Sequence, residues 1–215
     1  MISEINKVFK PFKGIHSGET AILFATGPSL HSFIPMQEKT INFGVNKIII
    51  KPDIELDYYF FGDNPYNYFD FIKAADIKKQ RFCHILRDGK TLKNQITIEE
   101  SRELGALSYE MTLGLPFQKD IAVHRLIDHS IVFACLQFML YTEIQKIYLV
   151  GCDAGSVRSF TDQEFTPSPY HGLVEYWKEF KDFVAQEYSG TEIVSINPVN
   201  LGGLFRDVVQ EKNSA

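Results

Sequence analysis

The sequence has little cysteine and no long apolar run, and both absences narrow the class of protein. Its three cysteines, Cys83, Cys135 and Cys152, lie far apart and form no C-x-x-C pair. Cys83 and Cys135 lie within apolar segments, so we expect buried thiols and a reducing cytoplasm rather than disulfides. No run of about 20 apolar residues exists, and residues 1–13 lack a signal-peptide core. We therefore expect a cytoplasmic protein that meets a membrane at most peripherally, at its inner face.

The chain also lacks the charge and the motifs of several common protein classes. Its formal net charge is −5 and its pI is about 5.7, so no global positive field attracts nucleic acid. The histidines and cysteines lack metal-ligand spacing, and no D-x-D pair is present, so we predict no metal. There is no Walker A motif, no G-x-G-x-x-G and no nucleophile elbow. The sequence therefore gives little support to zinc, P-loop or serine-hydrolase chemistry.

What is present is an alternation of apolar runs and amphipathic segments. We predict strands at residues 20–25, 41–45, 57–62, 81–86, 146–150 and 192–196, and helices at 28–36, 66–75, 128–141, 170–188 and 204–210. Glycine and proline interrupt residues 87–125, where we expect loops or a small lid-like insertion. The alternation predicts one α/β domain over residues 1–215, with a mainly parallel sheet covered by helices on both faces.

Polar residues follow four of the predicted strands. In parallel sheets ligands bind beyond the carboxyl ends of the strands, so these residues are candidates for a binding site. Asn and Asp are also common in ordinary turns, and a Gly-Pro corner needs no ligand to explain it. The candidates are Thr26, Gly27, Pro28 and Ser29 after the first strand, Asn46 after the second, Asp63 and Asn64 after the third, and Asp153 after the fifth.

Three further candidates lie at the predicted starts of helices. Ser130 could cap the helix that follows it, or it could direct its hydroxyl at a ligand. His171, next to Tyr170, follows a polar loop and begins a helix, where the positive end of the helix dipole would keep the imidazole neutral. A neutral histidine can act as a general base, although a lone histidine is more often a surface residue.

Read in order, these segments resemble a known family. Residues 27–30 read GPSL after the first strand, residues 146–153 read KIYLVGCD, and Tyr170-His171 follow them. The pattern is similar to that of the bacterial sialyltransferases that modify lipooligosaccharide, and to the motility-accessory (DUF115) glycosyltransferase-like proteins. The resemblance implies a Rossmann-like sheet with a small lid, a CMP-sugar as the donor, and neither metal nor other cofactor.

The resemblance also implies roles for individual residues. The nucleotide loop would consist of Gly27, Pro28 and Ser29, and the donor phosphate or ribose would be contacted by Asn46 and Asn64. Ser130 would contact the nucleotide, and Asp153 would face the cytidine. His171 would deprotonate the acceptor hydroxyl, and Tyr170 would stabilise the leaving phosphate. The chain departs from the family pattern at Thr26, where the family has Asn, and at residues 128–130, which read Asp-His-Ser in place of Thr-Ser-Gly.

The expected function is therefore a metal-independent, inverting glycosyltransferase of surface-glycan or lipopolysaccharide biosynthesis. Its partners would be a nucleotide-sugar donor and a glycan or glycolipid acceptor. The sequence leaves open whether the chain forms a homo-oligomer. Two alternatives remain. A pterin pyrophosphokinase-like phosphotransferase would use Mg-ATP and would need carboxylates such as Asp63 and Asp153 at the strand ends. A non-catalytic nucleotide-binding partner in a polysaccharide pathway would need neither a base nor a metal.

Overall fold

A computed structural model describes residues 4–62, 65–85, 96–112, 114–127, 129–155, 160 and 171–211, and of His171 it describes the backbone. Eight strands form one parallel sheet: β1 (Thr20–Phe24), β2 (Ile41–Val45), β3 (Leu56–Phe61), β4 (Ile77–His84), β5 (Ala106–Tyr109), β8 (Lys146–Val150), β9 (Glu192–Ile196) and β10 (Arg206–Val208). A separate pair consists of β6 (Met111–Thr112) and β7 (Leu126–Ile127).

The strand order across the main sheet is β10-β9-β8-β1-β2-β3-β4-β5, and each neighbouring pair is parallel. From β1 the chain first builds one half of the sheet as far as β5. It then returns to the other side of β1 and adds β8, β9 and β10. The direction of growth therefore reverses between β1 and β8, and this boundary is the topological switch of the sheet.

Helices cover both faces of the sheet, as the sequence predicted. The α-helices are α1 (Phe69–Ala74), α2 (Ile98–Glu103), α3 (Ile131–Tyr141) and α4 (His171–Glu187). Short 3-10 helices span Ile5–Phe12, Pro28–Ser32, Asn46–Ile50 and Pro65–Tyr68. The apolar residues of α3 and α4 belong to the core on one face, and Ile72 of α1 belongs to the core on the other. The structure thus confirms the predicted Rossmann-like α/β fold class.

Aromatic side chains fill the core beneath α3. Phe138 of α3 lies against three rings from the neighbouring strands β3 and β4, with centroids 5.5 Å from Tyr58, 5.4 Å from Phe60 and 4.8 Å from Phe82. Phe9 of the first 3-10 helix packs 5.7 Å from the same Phe138 ring. The high aromatic content of the sequence is therefore largely a property of the core. Cys83 and Cys135 are buried free thiols, as predicted.

Three predicted elements differ from the structure. The closing helix at 204–210 is wrong, because residues 206–208 form β10 and pair in parallel with β9. The helix predicted at 28–36 ends at Ser32, since Ile34 precedes Pro35 and the residue before a proline disfavours helical backbone. Within the segment 87–125, where loops were expected, residues 106–109 form β5, one of the two edge strands of the sheet.

Candidate functional site

The loops that follow β1 and β8 are held together at the topological switch. Beyond the last paired residues of these strands, the Ala25 amide donates to the Val150 carbonyl at 2.8 Å. The Gly27 amide then donates to the Gly151 carbonyl, also at 2.8 Å. Strand-like pairing therefore continues into the two loops and fixes their relative position at the carboxyl edge of the sheet.

Two glycines make this close approach possible. A Cβ atom added to Gly27 would lie 2.5 Å from the Gly151 carbonyl oxygen and 2.6 Å from Cγ of Asp153. A Cβ atom added to Gly151 would lie 2.5 Å from the Ala25 carbonyl oxygen, and Gly151 also has a φ of +69°. The groups that closely approach Gly27 therefore belong to the protein's own loop after β8.

Asp153 binds the turn that follows β1. Asp153 as a whole is 5% exposed, and its Oδ2 atom accepts a hydrogen bond from the Ser29 amide at 2.8 Å. The Ser29 hydroxyl donates to Oδ1 of the same carboxylate. Burial raises the pKa of Asp153, and the two hydrogen bonds from Ser29 offset part of that shift. The Ser29 amide, which belongs to the predicted nucleotide loop, thus has a protein carboxylate as its acceptor.

Two other segments complete this edge of the site. Asn200 lies in the loop between β9 and β10. Its backbone amide donates to the Asp153 carbonyl at 3.3 Å, and its side-chain Nδ2 atom donates to the same carbonyl at 2.9 Å. The Phe160 amide donates to the Thr26 carbonyl at 2.6 Å. The Phe160 ring lies 6.0 Å from both the His31 ring centroid and Nζ of Lys51. The predicted Thr26–Ser29 turn and Asp153 therefore lie together, with Pro28 as the first residue of the 3-10 helix.

Asn46 ties the ends of β2 and β3 together. Its φ of 46° is in the left-handed region, which Asn adopts more readily than most residues. Its Oδ1 atom accepts hydrogen bonds from the Gly62 amide at 3.3 Å and from the Tyr68 hydroxyl at 3.4 Å, and its carbonyl accepts from the Tyr59 hydroxyl at 2.8 Å. Asn46 thus stands at the predicted edge and shapes it. Asp63 and Asn64 lie outside the described residues.

Ser130 is the N-cap of α3, and its Oγ atom accepts a hydrogen bond from the Val132 amide at 3.3 Å. The capping role is therefore observed, and a role toward a ligand stays a prediction. The neighbouring His129 ring stacks on Tyr176 of α4, with centroids 3.3 Å apart. Burial lowers the pKa of His129, against the opposing effect of Glu179. This stack brings the beginnings of α3 and α4 to the same edge of the sheet.

One residue of the catalytic pair that the sequence predicts lies at the beginning of α4. His171 is the first residue of the helix, as expected, but its side chain is outside the described part of the chain. Tyr170 is outside it as well. Sequence reasoning missed Asn200, Phe160 and His129, because their roles depend on which loops the fold brings together.

Among the described residues there is no group of His, Cys, Asp and Glu that could hold a metal ion. None of the helices described has the length and apolar character needed to cross a bilayer.

Comparison with known proteins gives matches in fold. No protein-family model matches the sequence, and no curated protein matches it either. The sialyltransferase CstII from Campylobacter jejuni, in complex with the substrate analogue cytidine-5'-monophosphate, superposes with a TM-score of 0.51 at 11% identity, over 93% of this chain and 89% of that chain. The sialyltransferase CST-II in complex with a trisaccharide acceptor and CMP gives a TM-score of 0.54 at 12% identity, over 92% and 88%.

A second kind of glycosyltransferase has the same fold. The MAf glycosyltransferase from Magnetospirillum magneticum AMB-1 gives a TM-score of 0.54 at 12% identity and covers 99% of this chain. This chain corresponds to 38% of that longer protein. At such low identities these likenesses establish the fold, which is the α/β fold found in both proteins. Membership of the motility-accessory family stays a prediction.

Proposed function

We propose that this chain is a metal-independent, inverting glycosyltransferase that takes its sugar from a CMP-sugar. The observation that carries the proposal is the joined pair of loops at the β1–β8 switch, where Asp153 holds the Thr26–Ser29 turn. Ligands of open α/β sheets bind at such a switch. The fold shared with sialyltransferases supports the choice of donor, although a fold alone does not define an activity.

In this proposal Asp153 faces the nucleotide. An ionised carboxylate offers about four acceptor positions, and Ser29 uses two of them. The remaining positions can accept a hydrogen bond from a ribose hydroxyl or from the exocyclic amine of cytosine. Because the same carboxylate fixes the Thr26–Ser29 turn, binding at Asp153 depends on the conformation of that turn. Asn46, Asp63, Asn64 and Ser130 are proposed to line the site toward the phosphate and the sugar.

The proposed reaction is a direct displacement at the anomeric carbon. The acceptor hydroxyl forms the new C–O bond while the bond to the phosphate oxygen breaks, and CMP leaves with the electron pair. We propose that His171 accepts the hydroxyl proton and that Tyr170 stabilises the leaving phosphate. Both assignments come from the resemblance, and the position of His171 at the beginning of α4 is compatible with them. The acceptor would be a glycan or glycolipid of surface-glycan biosynthesis.

Ligand binding tests the nucleotide part of the proposal. Thermal stability should rise with CMP in the absence of Mg²⁺, and it should rise less with UDP, GDP or ATP, because a ligand that binds only the folded state stabilises it. Stabilisation by ATP only when Mg²⁺ is present would instead support the pyrophosphokinase-like alternative. No response to any of the nucleotides would contradict both enzyme functions.

Kinetics of a histidine variant test the catalytic part. His171→Ala should reduce turnover with a CMP-sugar by about 10²-fold or more, which is the usual contribution of a general base, and it should leave CMP affinity nearly unchanged. His124→Ala is the matched control, since His124 lies near β7 rather than at the start of α4. An equal loss of turnover and CMP affinity in His171→Ala would rule out the role of base.

A further inference from the structure

One buried histidine at the carboxyl edge of the sheet has no assigned role. His84 is the last residue of β4 and is 3% exposed. Its Nε2 atom is buried and has no hydrogen-bond partner within the described ranges of the chain. Buried polar atoms are nearly always hydrogen-bonded, and leaving one unsatisfied costs about 1–3 kcal/mol. Such an atom at the ligand-binding edge of an α/β sheet calls for an explanation.

The surroundings of His84 connect it to the predicted site. A Cβ atom added to Gly62 would lie 2.8 Å from Cβ of His84 and 3.0 Å from Cδ1 of Ile131, so the three residues are in close contact. Gly62 directly precedes Asp63, and Ile131 directly follows Ser130, and both of these neighbours are candidate site residues. The Tyr109 ring, at the end of β5, lies 5.9 Å away on another side. His84 is therefore packed between the end of β3 and the first turn of α3.

The protonation state of His84 restricts what it can bind. Burial lowers the pKa of His84 to about 4, so the imidazole is neutral near pH 7. A neutral ring offers one N–H donor and one acceptor nitrogen. Depending on the tautomer, Nε2 either donates or accepts, and a hydroxyl group can pair with it in both cases, whereas a cationic side chain is the stronger partner for a phosphate.

The place of His84 along the edge indicates which part of a donor it would meet. β4 lies three strands from β1, which is about 14 Å at the usual strand spacing, and the switch lies on the far side of β1. A nucleotide bound at Asp153 and extending across the strand ends would place its base near the switch. The group that reaches β4 would then be the sugar beyond the phosphate.

We propose that His84 hydrogen-bonds a hydroxyl group of the transferred sugar and is a specificity-determining residue for the donor. This inference rests on the proposed function. It extends that function by naming a side chain for the sugar, which neither the resemblance nor the strand-end pattern supplied.

The test compares nucleotide with nucleotide sugar in two variants. Calorimetry would measure the affinity of wild-type protein, His84→Leu and His84→Gln for CMP, CMP-N-acetylneuraminate and CMP-3-deoxy-manno-octulosonate. Wild-type protein should bind one of the CMP-sugars more tightly than CMP. His84→Leu should lose about tenfold in affinity for that CMP-sugar, which is the usual worth of one buried hydrogen bond, and should keep its affinity for CMP. His84→Gln can place a polar atom near the position of Nε2 and should lose less.

Stability measurements separate a ligand role from a structural one. His16 is the matched control, because it is buried to a similar degree and both of its ring nitrogens have partners, Glu19 at 2.6 Å and Tyr58 at 2.8 Å. His16→Leu should lower the melting temperature, whereas His84→Leu should not. A large loss of stability in His84→Leu, or unchanged CMP-sugar affinity in both His84 variants, would overturn the inference while CMP binding still supports the proposed function. If wild-type protein binds neither CMP nor a CMP-sugar, the proposed function fails and the inference fails with it.

Discussion

Two buried histidines show how local surroundings decide what a side chain contributes. His16 lies between Glu19 and Tyr58, and both of its ring nitrogens form hydrogen bonds within the protein. His84 has a buried nitrogen with no such partner among the residues described, and burial dominates its pKa. The two residues look alike in sequence, since each is a lone histidine in a mixed segment. Their difference arises from contacts that only the folded chain creates.

The lowered pKa of His84 predicts how stability depends on pH. The folded pKa of about 4 lies below the ordinary value of 6.5, so between these values the unfolded chain binds a proton that the folded chain does not. The contribution of neutral His84 to the free energy of unfolding is therefore fully present above pH 6.5, and it is lost as the pH falls toward 4. The loss should approach about 3 kcal/mol, since one pKa unit corresponds to about 1.4 kcal/mol.

Urea denaturation at pH 7, 5.5 and 4 would measure this loss. The free energy of unfolding should fall more steeply in wild-type protein than in His84→Leu, which has no group to titrate at this position. Other groups titrate in both proteins, so the difference between the two curves isolates His84. Parallel curves would show that the imidazole is protonated without penalty in the folded state.

At the scale of elements, the first 3-10 helix is fastened to the segment around β6 and β7 by one buried side chain. Nδ2 of Asn6 donates to the carbonyls of Glu110 at 3.2 Å and His124 at 2.8 Å. Its Oδ1 atom accepts from the Glu110 amide at 2.7 Å. These bonds join residues more than 100 positions apart, so Asn6 fixes the N-terminal element against the segment that contains β6 and β7.

Removing this side chain should destabilise the fold. Asn6→Ala removes the side-chain partner of the buried Glu110 amide and of the partly buried His124 carbonyl, while the Glu110 carbonyl keeps its bond from the Leu126 amide, and a buried group left without a partner costs about 1–3 kcal/mol. We expect a loss of at least about 2 kcal/mol in the free energy of unfolding, measured by chemical denaturation. Lys7→Ala is the control on the same helix, because its ion pair with Glu4 is exposed and should change stability by less than about 1 kcal/mol. Equal effects of the two substitutions would contradict the role of Asn6.

The elements also show where sequence reasoning succeeds and where it fails. Strands buried on both faces, such as β1 and β8, are continuous apolar runs, so their positions were predictable. The edge strand β10 contains Arg206, Asp207 and Val208 and is defined by its pairing with β9 rather than by its own pattern. In the same way, the sequence placed Ser29 and Asp153 at strand ends. Their hydrogen bonds depend on β1 and β8 being neighbours, which no local pattern states.

At the scale of the whole molecule, the two halves of the sheet meet at one seam. The half containing β1 to β5 and the half containing β8 to β10 are joined along the β1–β8 ladder and the loops beyond it. Asp153 and Asn200 extend this seam, because they connect the turn after β1 to the loop between β9 and β10. The proposed nucleotide site therefore lies on the seam itself, and the packing that joins the halves also shapes the site.

A methyl group at the seam should disturb both properties together. Gly27→Ala would place Cβ 2.5 Å from the Gly151 carbonyl oxygen and 2.6 Å from Cγ of Asp153, so backbone on one side must shift. We expect a loss of at least about 2 kcal/mol in the free energy of unfolding, as for other overpacked sites. We also expect the folded fraction of this variant to bind CMP more weakly than wild-type protein does. Gly190→Ala is the matched control, since a Cβ atom there meets nothing within 4 Å. It should change stability by about 0.5 kcal/mol or less and leave CMP affinity unaltered. If Gly27→Ala behaved like Gly190→Ala in both measurements, the seam would be loose enough to accept the methyl group, and Asp153 could not be held by the contacts described above.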